Sequence, residues 1–152
     1  MENPVTVRGF FALAVLTMLL AGCFAQGGQG KAGGDGQKYV LATVPRFAKT
    51  WSVSEFDRQV IPNFYKTARH EQTEKFFNAF RRKLGPLQAL SVAKSVQKES
   101  WFAGTGSVIA QQYLLNARFA KGPGTIRIEV DDISGAGWKI SQFYVDSDAF
   151  LK

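Results

Sequence analysis

The sequence predicts an α+β protein in which helices from the first half of the domain pack on an antiparallel sheet from the second half. Between Phe47 and Leu84, apolar residues recur close to the helical period, as in helices with one buried face. From Leu90 onward, apolar and polar residues alternate, as in strands with one buried face. A chain of 152 residues, 45% of them hydrophobic, is long enough to bury one core of this kind.

The N-terminus has the order of a secretory signal peptide. Arg8 precedes an uncharged apolar run, FFALAVLTMLLAGCFA. This run of about 16 residues is shorter than the ~20 residues that cross the hydrocarbon core of a bilayer. We therefore expect residues 1–22 to be cleaved as a signal peptide and not to form a permanent transmembrane helix.

The end of this run carries a lipidation motif. Leu20, Ala21, Gly22 and Cys23 resemble the lipobox of bacterial lipoproteins, in which a branched apolar residue and two small residues precede a cysteine. The resemblance implies that the Cys23 thiol carries a diacylglyceryl group and that the signal is cut before it. The alternative is an ordinary signal peptide with a chance cysteine. Two or three acyl chains would anchor the protein firmly, since each buried methylene adds roughly 0.8 kcal/mol.

A glycine-rich segment follows, and we assign residues 23–38 to the lipidated cysteine and a flexible tether. Glycine and glutamine cannot form a core, and a coil of this length reaches about 20 Å. The residue after the cysteine is Phe24, whereas the common inner-membrane retention signal has Asp there. In a bacterium with two membranes, this favours lipid anchoring at the periplasmic face of the outer membrane.

Residues 39–152 are predicted to form one domain that begins with short helices. Ser54 is the expected N-cap of one helix, and Pro62 should interrupt the segment that follows. The segment HEQTEKFFNAFRRKLGP predicts a longer helix ended by Gly85 and Pro86. Its expected buried stripe consists of Phe76, Phe77, Phe80 and Leu84.

The register of the strands is predicted from the loop KGPG. Closing a hairpin there pairs Phe119 with Ile126, so that apolar residues meet across the two strands. The next hairpin is predicted to pair Val130 with Trp138. The residues that face inward in these registers are Leu115, Ala117, Phe119, Ile126, Ile128, Val130, Trp138 and Ile140. Gln142 is the one polar residue predicted on the inward face of the last strand.

Three segments together resemble the nuclear transport factor 2-like superfamily. They are KLGP at residues 83–86, FAKGPGTI at residues 119–126 and GWKISQF at residues 137–143. The resemblance, to small exported bacterial members without an assigned function, implies a curved sheet wrapped around helices to leave a concave pocket. The superfamily includes isomerases and dehydratases, small-molecule binders and dimerisation modules, so the fold alone does not choose an activity.

The predicted inward positions favour binding over catalysis. None is a carboxylate, whereas enzymes that resemble ketosteroid isomerase need one as a base. We therefore expect a non-catalytic domain that holds a small hydrophobic ligand or a protein partner. The candidate ligand-binding residues, aromatic walls with a few polar groups, are Tyr113, Gln142, Trp138 and Trp101. The alternatives are an isomerase or lyase, and a structural envelope module that forms a homodimer through its sheet.

The net charge and the remaining polar residues indicate which classes of partner and cofactor to expect. A net charge of +7 favours anionic surfaces in general, and the basic run at residues 81–83 matches a helix C-terminus or, alternatively, binds phosphate. No nucleic-acid recognition motif is present and an exported lipoprotein rarely meets nucleic acid, so no such partner is expected. His70 is the only histidine, and no residues have metal-ligand spacing. We therefore expect no metal and no cofactor.

Overall fold

The computed structural model describes residues 34–102 and 106–151, and it has helices followed by one open, curved antiparallel sheet. The helices are α1 (Asp35–Ala48), α2 (Val53–Asp57), α3 (Phe64–Thr67) and α4 (His70–Lys83). The strands are β1 (Leu87–Phe102), β2 (Gly106–Phe119), β3 (Gly122–Ile133) and β4 (Trp138–Asp146), and a 3-10 turn follows at Asp148–Phe150. Their order in the sheet is β1-β2-β3-β4. The general α+β fold predicted from the sequence is confirmed.

The predicted signal peptide, the lipobox residues Leu20, Ala21 and Gly22, and Cys23 lie outside the described residues. The helix α1 begins at Asp35, so the last residues assigned to the tether, 35–38, are helical and not coil. Composition alone missed this because glycine and glutamine dominate the segment. No helix in the described ranges has the length and apolarity needed to span a membrane.

The turn after α1 is held by Trp51, whose φ of 51° is unusual for a residue other than glycine. The indole is fully buried, and its N–H donates to the Gly85 carbonyl at 2.8 Å. Arg81 of α4 donates to the carbonyl oxygens of Thr50 and Trp51 at 3.2 and 3.1 Å. The strained turn persists because packing and these hydrogen bonds fix it, and Arg81 therefore has a structural role at the end of α4.

Two helix predictions need correction. The N-cap of α2 is Ser52, whose hydroxyl accepts from the Glu55 N–H at 3.3 Å, and not Ser54. The helix α4 has the predicted extent and ends at Lys83, and Gly85 follows it with a φ of 71° that suits glycine. Within its predicted buried stripe, however, Phe76 is 52% exposed.

The predicted β2–β3 register is wrong, although the inward-facing residues are right. Phe119 pairs with Gly122 and not with Ile126, and Leu115 pairs with Ile126 and not with Val130. The chain reverses earlier than the loop KGPG suggested, because Gly122 adopts a φ of 145° that permits a tighter turn. The shift of four residues is even, so each side chain keeps its face of the sheet.

The β3–β4 register also differs from the prediction. Val130 pairs with Ile140 and not with Trp138, and a bulge then leaves Ser141 as an extra residue on β4. Beyond the bulge the alternation of faces is reversed. Gln142 is consequently exposed, and Phe143 turns to the core side in its place. The prediction that Gln142 faces inward is therefore wrong.

The core lies between the helices and one face of the sheet. Phe56 is its centre: its ring lies 5.1 Å from Phe47, 5.0 Å from Phe77 and 5.4 Å from Phe64, measured between centroids. The sheet contributes buried residues of β2, β3 and β4, which are Tyr113, Leu115, Ala117, Phe119, Ile126, Ile128, Val130 and Ile140. Of the predicted inward residues, Trp138 alone is only half-buried.

Candidate functional site

A groove of about 1060 Å³ runs along β4, between this edge strand and the helices α3 and α4. One side of the groove is aromatic. It is lined by five helical residues and one residue near the end of the described chain, which are Phe56, Phe64, Phe76, Phe77, Phe80 and Phe150. Its other side is polar and comes from β3 and β4, with Glu129, Asp131, Ser141, Gln142 and Tyr144. The groove thus combines residues from both faces of the sheet around the β4 edge. We call it the β4 groove.

One end of the β4 edge is already covered by the chain itself. The Ile140 N–H donates to the Gln59 carbonyl at 2.7 Å, and the Ile61 N–H donates to the Ile140 carbonyl at 2.9 Å. Val60 thereby forms a parallel bridge with Ile140. Pro62 follows, has no N–H to donate and ends this pairing. Beyond Ile140, the β4 edge faces the groove.

The side of β4 to which each remaining residue directs its backbone N–H and C=O groups follows from the pairing of the strands. Because Ile140 directs both backbone groups outward, its partner Val130 directs its own toward β2. The β2–β3 ladder is regular, so Ile128 has the same direction as Val130. Its β4 partner Phe143 therefore turns its N–H and C=O toward the groove, as does Val145 opposite Ile126. Across the described ranges, no hydrogen bond outside the ladder reaches Phe143 or Val145.

The aromatic wall is exposed at the mouth of the groove. Phe76 stacks on Phe80 with ring centroids 6.3 Å apart, and Phe80 contacts Phe150 at 5.6 Å. Phe76 is 52% exposed and Tyr144, across the groove, is 59% exposed. Large aromatic side chains in this state provide apolar area that a bound molecule would cover.

The polar side of the groove carries two carboxylates from the outer face of β3. Asp131 is half-buried and accepts a hydrogen bond from the Ser141 hydroxyl at 2.9 Å. Burial raises the pKa of Asp131 above its ordinary value, and the charge of Glu129 raises it further, while the Ser141 bond opposes the rise. Arg127 is the next residue on this face, so the acidic part of the rim is confined to Glu129 and Asp131.

The structure does not bring the four predicted ligand residues together. Gln142 lines the β4 groove. Tyr113 is fully buried in the core, where its hydroxyl donates to Gln111 and burial raises its pKa to about 12. Trp138 is half-buried at the start of β4 and is not among the lining residues. Trp101 belongs to β1, the opposite edge of the sheet, and its side chain is outside the described part.

The lining residues that the sequence reasoning missed are mainly on α4 and β4, with two more on β3. Phe76 and Phe80 were assigned to a buried stripe, whereas Phe76 is 52% exposed and Phe80 is half-buried beside it. Asp131 lies on the outer face of β3, and that face borders the groove because β4 is an edge strand. The alternation on β3 identified the inward residues Ile126, Ile128 and Val130, while nothing in the sequence indicated the neighbouring groove.

A second polar cluster links α2, α3 and α4. Asp57 accepts hydrogen bonds from the Tyr65 hydroxyl and from His70 Nε2, the latter at 2.9 Å. His70 Nδ1 lies 3.6 Å from Glu74. The hydrogen bond with Asp57 raises the pKa of His70 above its ordinary value. Among the described residues, no group of three or more His, Cys, Asp and Glu side chains is placed to hold a metal ion.

Comparison of the chain with protein-family models, curated proteins and solved structures gives no match. The functional inference therefore rests on the geometry of the β4 groove and on the motif around Cys23. The groove supplies three kinds of contact in one place: aromatic surface, two carboxylates and outward backbone groups on β4. This combination suits a molecule that is itself amphipathic.

Proposed function

We propose that this protein is a lipid-anchored, non-catalytic binding protein of the cell envelope, and that its ligand or partner occupies the β4 groove. The observation that carries the proposal is the groove, with its exposed Phe76, its aromatic wall and the carboxylates Glu129 and Asp131. Helices followed by a curved antiparallel sheet are compatible with kinship to the nuclear transport factor 2-like superfamily, which we retain as part of the proposal.

Anchoring at Cys23 is proposed from the lipobox resemblance, with the periplasmic face of the outer membrane as the expected location. The Cys23→Ser variant should lose labelling by a fatty-acid probe and should leave the membrane fraction, because no other residue of the chain offers a thiol for acylation. Labelling of the variant at the wild-type level would refute the anchor. Binding in the groove is tested separately.

Native mass spectrometry of the full-length protein, extracted from its own envelope, tests the binding function. We expect a co-purifying mass in the wild-type protein and its loss in Phe76→Ser, which removes the exposed aromatic ring from the groove mouth. Val96→Ser is the matched control, since Val96 is 41% exposed on β1, the opposite edge. Retention of the mass in both variants, or its absence from wild-type protein, would contradict binding in the groove.

An isomerase or lyase is the second candidate, and one observation favours it. Asp131 is a half-buried carboxylate that lines the groove, and burial raises its pKa above the ordinary value, which is the direction that a general base requires. A base of this kind would exchange a carbon-bound proton of the ligand with solvent. Deuterium should then enter the co-purified ligand from D₂O with wild-type protein and not with Asp131→Asn. No incorporation with the wild type would leave the non-catalytic proposal.

A further inference from the structure

We propose that the occupant of the β4 groove is an extended segment of a partner protein that adds to β4 as a further strand and alternates apolar with basic residues. This inference rests on the proposed function and specifies the class of its partner. In this mode of recognition, backbone hydrogen bonds supply affinity and alternate side chains supply specificity. Each of these contacts has a counterpart in the groove.

The backbone contact comes from Phe143 and Val145. Both turn their N–H and C=O groups toward the groove, as the register of the two ladders requires. Every second residue of an added strand would pair with one of them, as in any sheet ladder. A lipid or another small amphiphile would cover the aromatic wall but would leave these backbone groups without protein partners, which favours a polypeptide.

The chain itself shows that the β4 edge accepts a strand. Residues 59–61 already pair with Ile140 in parallel orientation, with backbone hydrogen bonds of 2.7 and 2.9 Å. Pro62 then takes the chain away from the edge. An added segment would continue this line along residues 142–146, a length of about 16 Å for an extended chain. A peptide of roughly five to seven residues would fill it.

The two sides of the groove set the side-chain pattern. Successive side chains of a strand point to opposite faces, and here one face meets the aromatic wall of Phe64, Phe76 and Phe80. On the other face the nearest side chains are Gln142 and Tyr144 of β4, and the carboxylates of Glu129 and Asp131 on β3 line the groove behind them. Apolar residues suit the first side and lysine or arginine suits the second, because charge complementarity adds specificity at a partly exposed rim.

The charge of the groove also distinguishes a foreign segment from a second copy of this chain. The protein has a net charge of +7, yet the carboxylates lie at this rim. The only basic residue of β4 is Lys139, whose ammonium group already donates to the Arg58 carbonyl at 2.8 Å. Pairing of β4 with another β4 would therefore bring little positive charge to Glu129 and Asp131.

A defined peptide set tests the proposal. Full-length protein in uncharged nanodiscs is titrated with heptapeptides that alternate Val, Leu or Phe with Lys or Arg, in all combinations. Peptides of the same composition, with apolar and basic residues in separate blocks, are the controls. We expect the best alternating peptide to bind at least tenfold more tightly than its block control. Equal binding of the two kinds, or no binding by any alternating peptide, would overturn the strand proposal.

Backbone methylation of the best peptide provides a sharper readout. N-methyl groups at alternate residues should abolish binding, and N-methyl groups at the intervening residues should be tolerated, because only every second residue pairs with β4. Amide hydrogen exchange at Phe143 and Val145 should slow when the peptide binds. A uniform effect of methylation along the peptide, with unchanged exchange at these two residues, would contradict strand addition.

Variants of the protein connect the peptide to the two sides of the groove. Glu129→Gln combined with Asp131→Asn should weaken binding about tenfold, and Phe76→Ser should weaken it similarly. Asp35→Asn is the control for charge, because Asp35 is highly exposed at the start of α1. If the native ligand is lost in Phe76→Ser while no peptide binds, the strand inference fails and the proposed function stands. A dimer by sedimentation that Val145→Pro dissociates would instead identify a second copy as the occupant and overturn the inference.

Discussion

Replacing Gly36 by alanine is expected to destabilise the protein, although alanine is the better helix former. Gly36 lies near the start of α1, where a Cβ would stand 2.1 Å from Gln111 Oε1 and 3.0 Å from the Tyr113 hydroxyl. Gln111 is buried, accepts a hydrogen bond from Tyr113 and donates to Gln97 at 3.4 Å. Its side chain cannot move aside without breaking these bonds.

Opposing effects set the magnitude of this change. Alanine stabilises an interior helical position by about 1 kcal/mol relative to glycine. Overpacking costs about 1–3 kcal/mol, and breaking one hydrogen bond of Gln111 costs about 1 kcal/mol more. The net loss of unfolding free energy should therefore be roughly 1–3 kcal/mol, and each kcal/mol lowers Tm by about 4 °C in a domain of this size.

Urea and thermal denaturation followed by circular dichroism measure the effect. Gly34→Ala is the matched control, since a Cβ at Gly34 would have no atom within 4 Å and the residue lies just outside the helix. Because Gly34 is the N-cap of α1 and alanine caps less well than glycine, we expect the control to lose about 1 kcal/mol at most. A Gly36→Ala variant as stable as the wild type, or more stable, would refute the close approach of α1 to β2.

Two further predictions concern the turn after α1 and the cluster at α4. Trp51→Phe should cost about 1–3 kcal/mol in urea denaturation, because the buried Gly85 carbonyl loses its donor, whereas Trp138→Phe, at a half-buried position, should cost less. The raised pKa of His70 predicts stability that is complete below about pH 6.5 and is lost as pH rises through the raised value. The wild-type urea midpoint should therefore fall between pH 5.5 and 8.5, and Asp57→Asn should lower the pKa of this single imidazole in NMR titrations. A pKa unchanged by Asp57→Asn, or a midpoint that rises with pH, would contradict the Asp57–His70 interaction.

The sequence was sufficient for the faces of β2 and β3 because burial alternates with a period of two. The predicted hairpin placed Leu115 opposite Val130, and the structure pairs it with Ile126, yet both registers keep the same residues on the core face. The turn length was not predictable from the letters KGPG. It depends on the φ of 145° at Gly122, which glycine permits but does not require.

The helix boundaries also divide into one that local sequence signals predict and one that depends on contacts with distant residues. The extent of α4 followed from its apolar spacing and from Gly85, because both signals are local. The start of α1 at Asp35 did not follow, since glycine and glutamine favour a coil. What holds this first turn is long-range: Gly36 fits against Gln111 and Tyr113, which lie on β2. Such a contact is visible only in the folded chain.

The β4 groove could not be predicted, because it depends on one extra residue in one strand. Without the bulge at Ser141, the strict alternation of β4 would put Gln142 on the core side, as the sequence analysis assumed, and would turn Phe143 outward. The bulge reverses both. It thereby completes the aromatic core with Phe143 and leaves the polar Gln142 and Tyr144 beside the acidic rim.

An open sheet edge is ordinarily a risk, because unpaired backbone groups recruit other chains into aggregates. Here the edge is divided: residues 59–61 cover β4 at Ile140, and the open part beyond the bulge lies beside the wall formed by α3 and α4. That wall leaves a groove of about 1060 Å³ along the strand. The extended segment that we propose would lie in this space, beside the helices α3 and α4. The helices that border the open part of the edge distinguish it from an unprotected edge, and this arrangement supports the binding site that we propose.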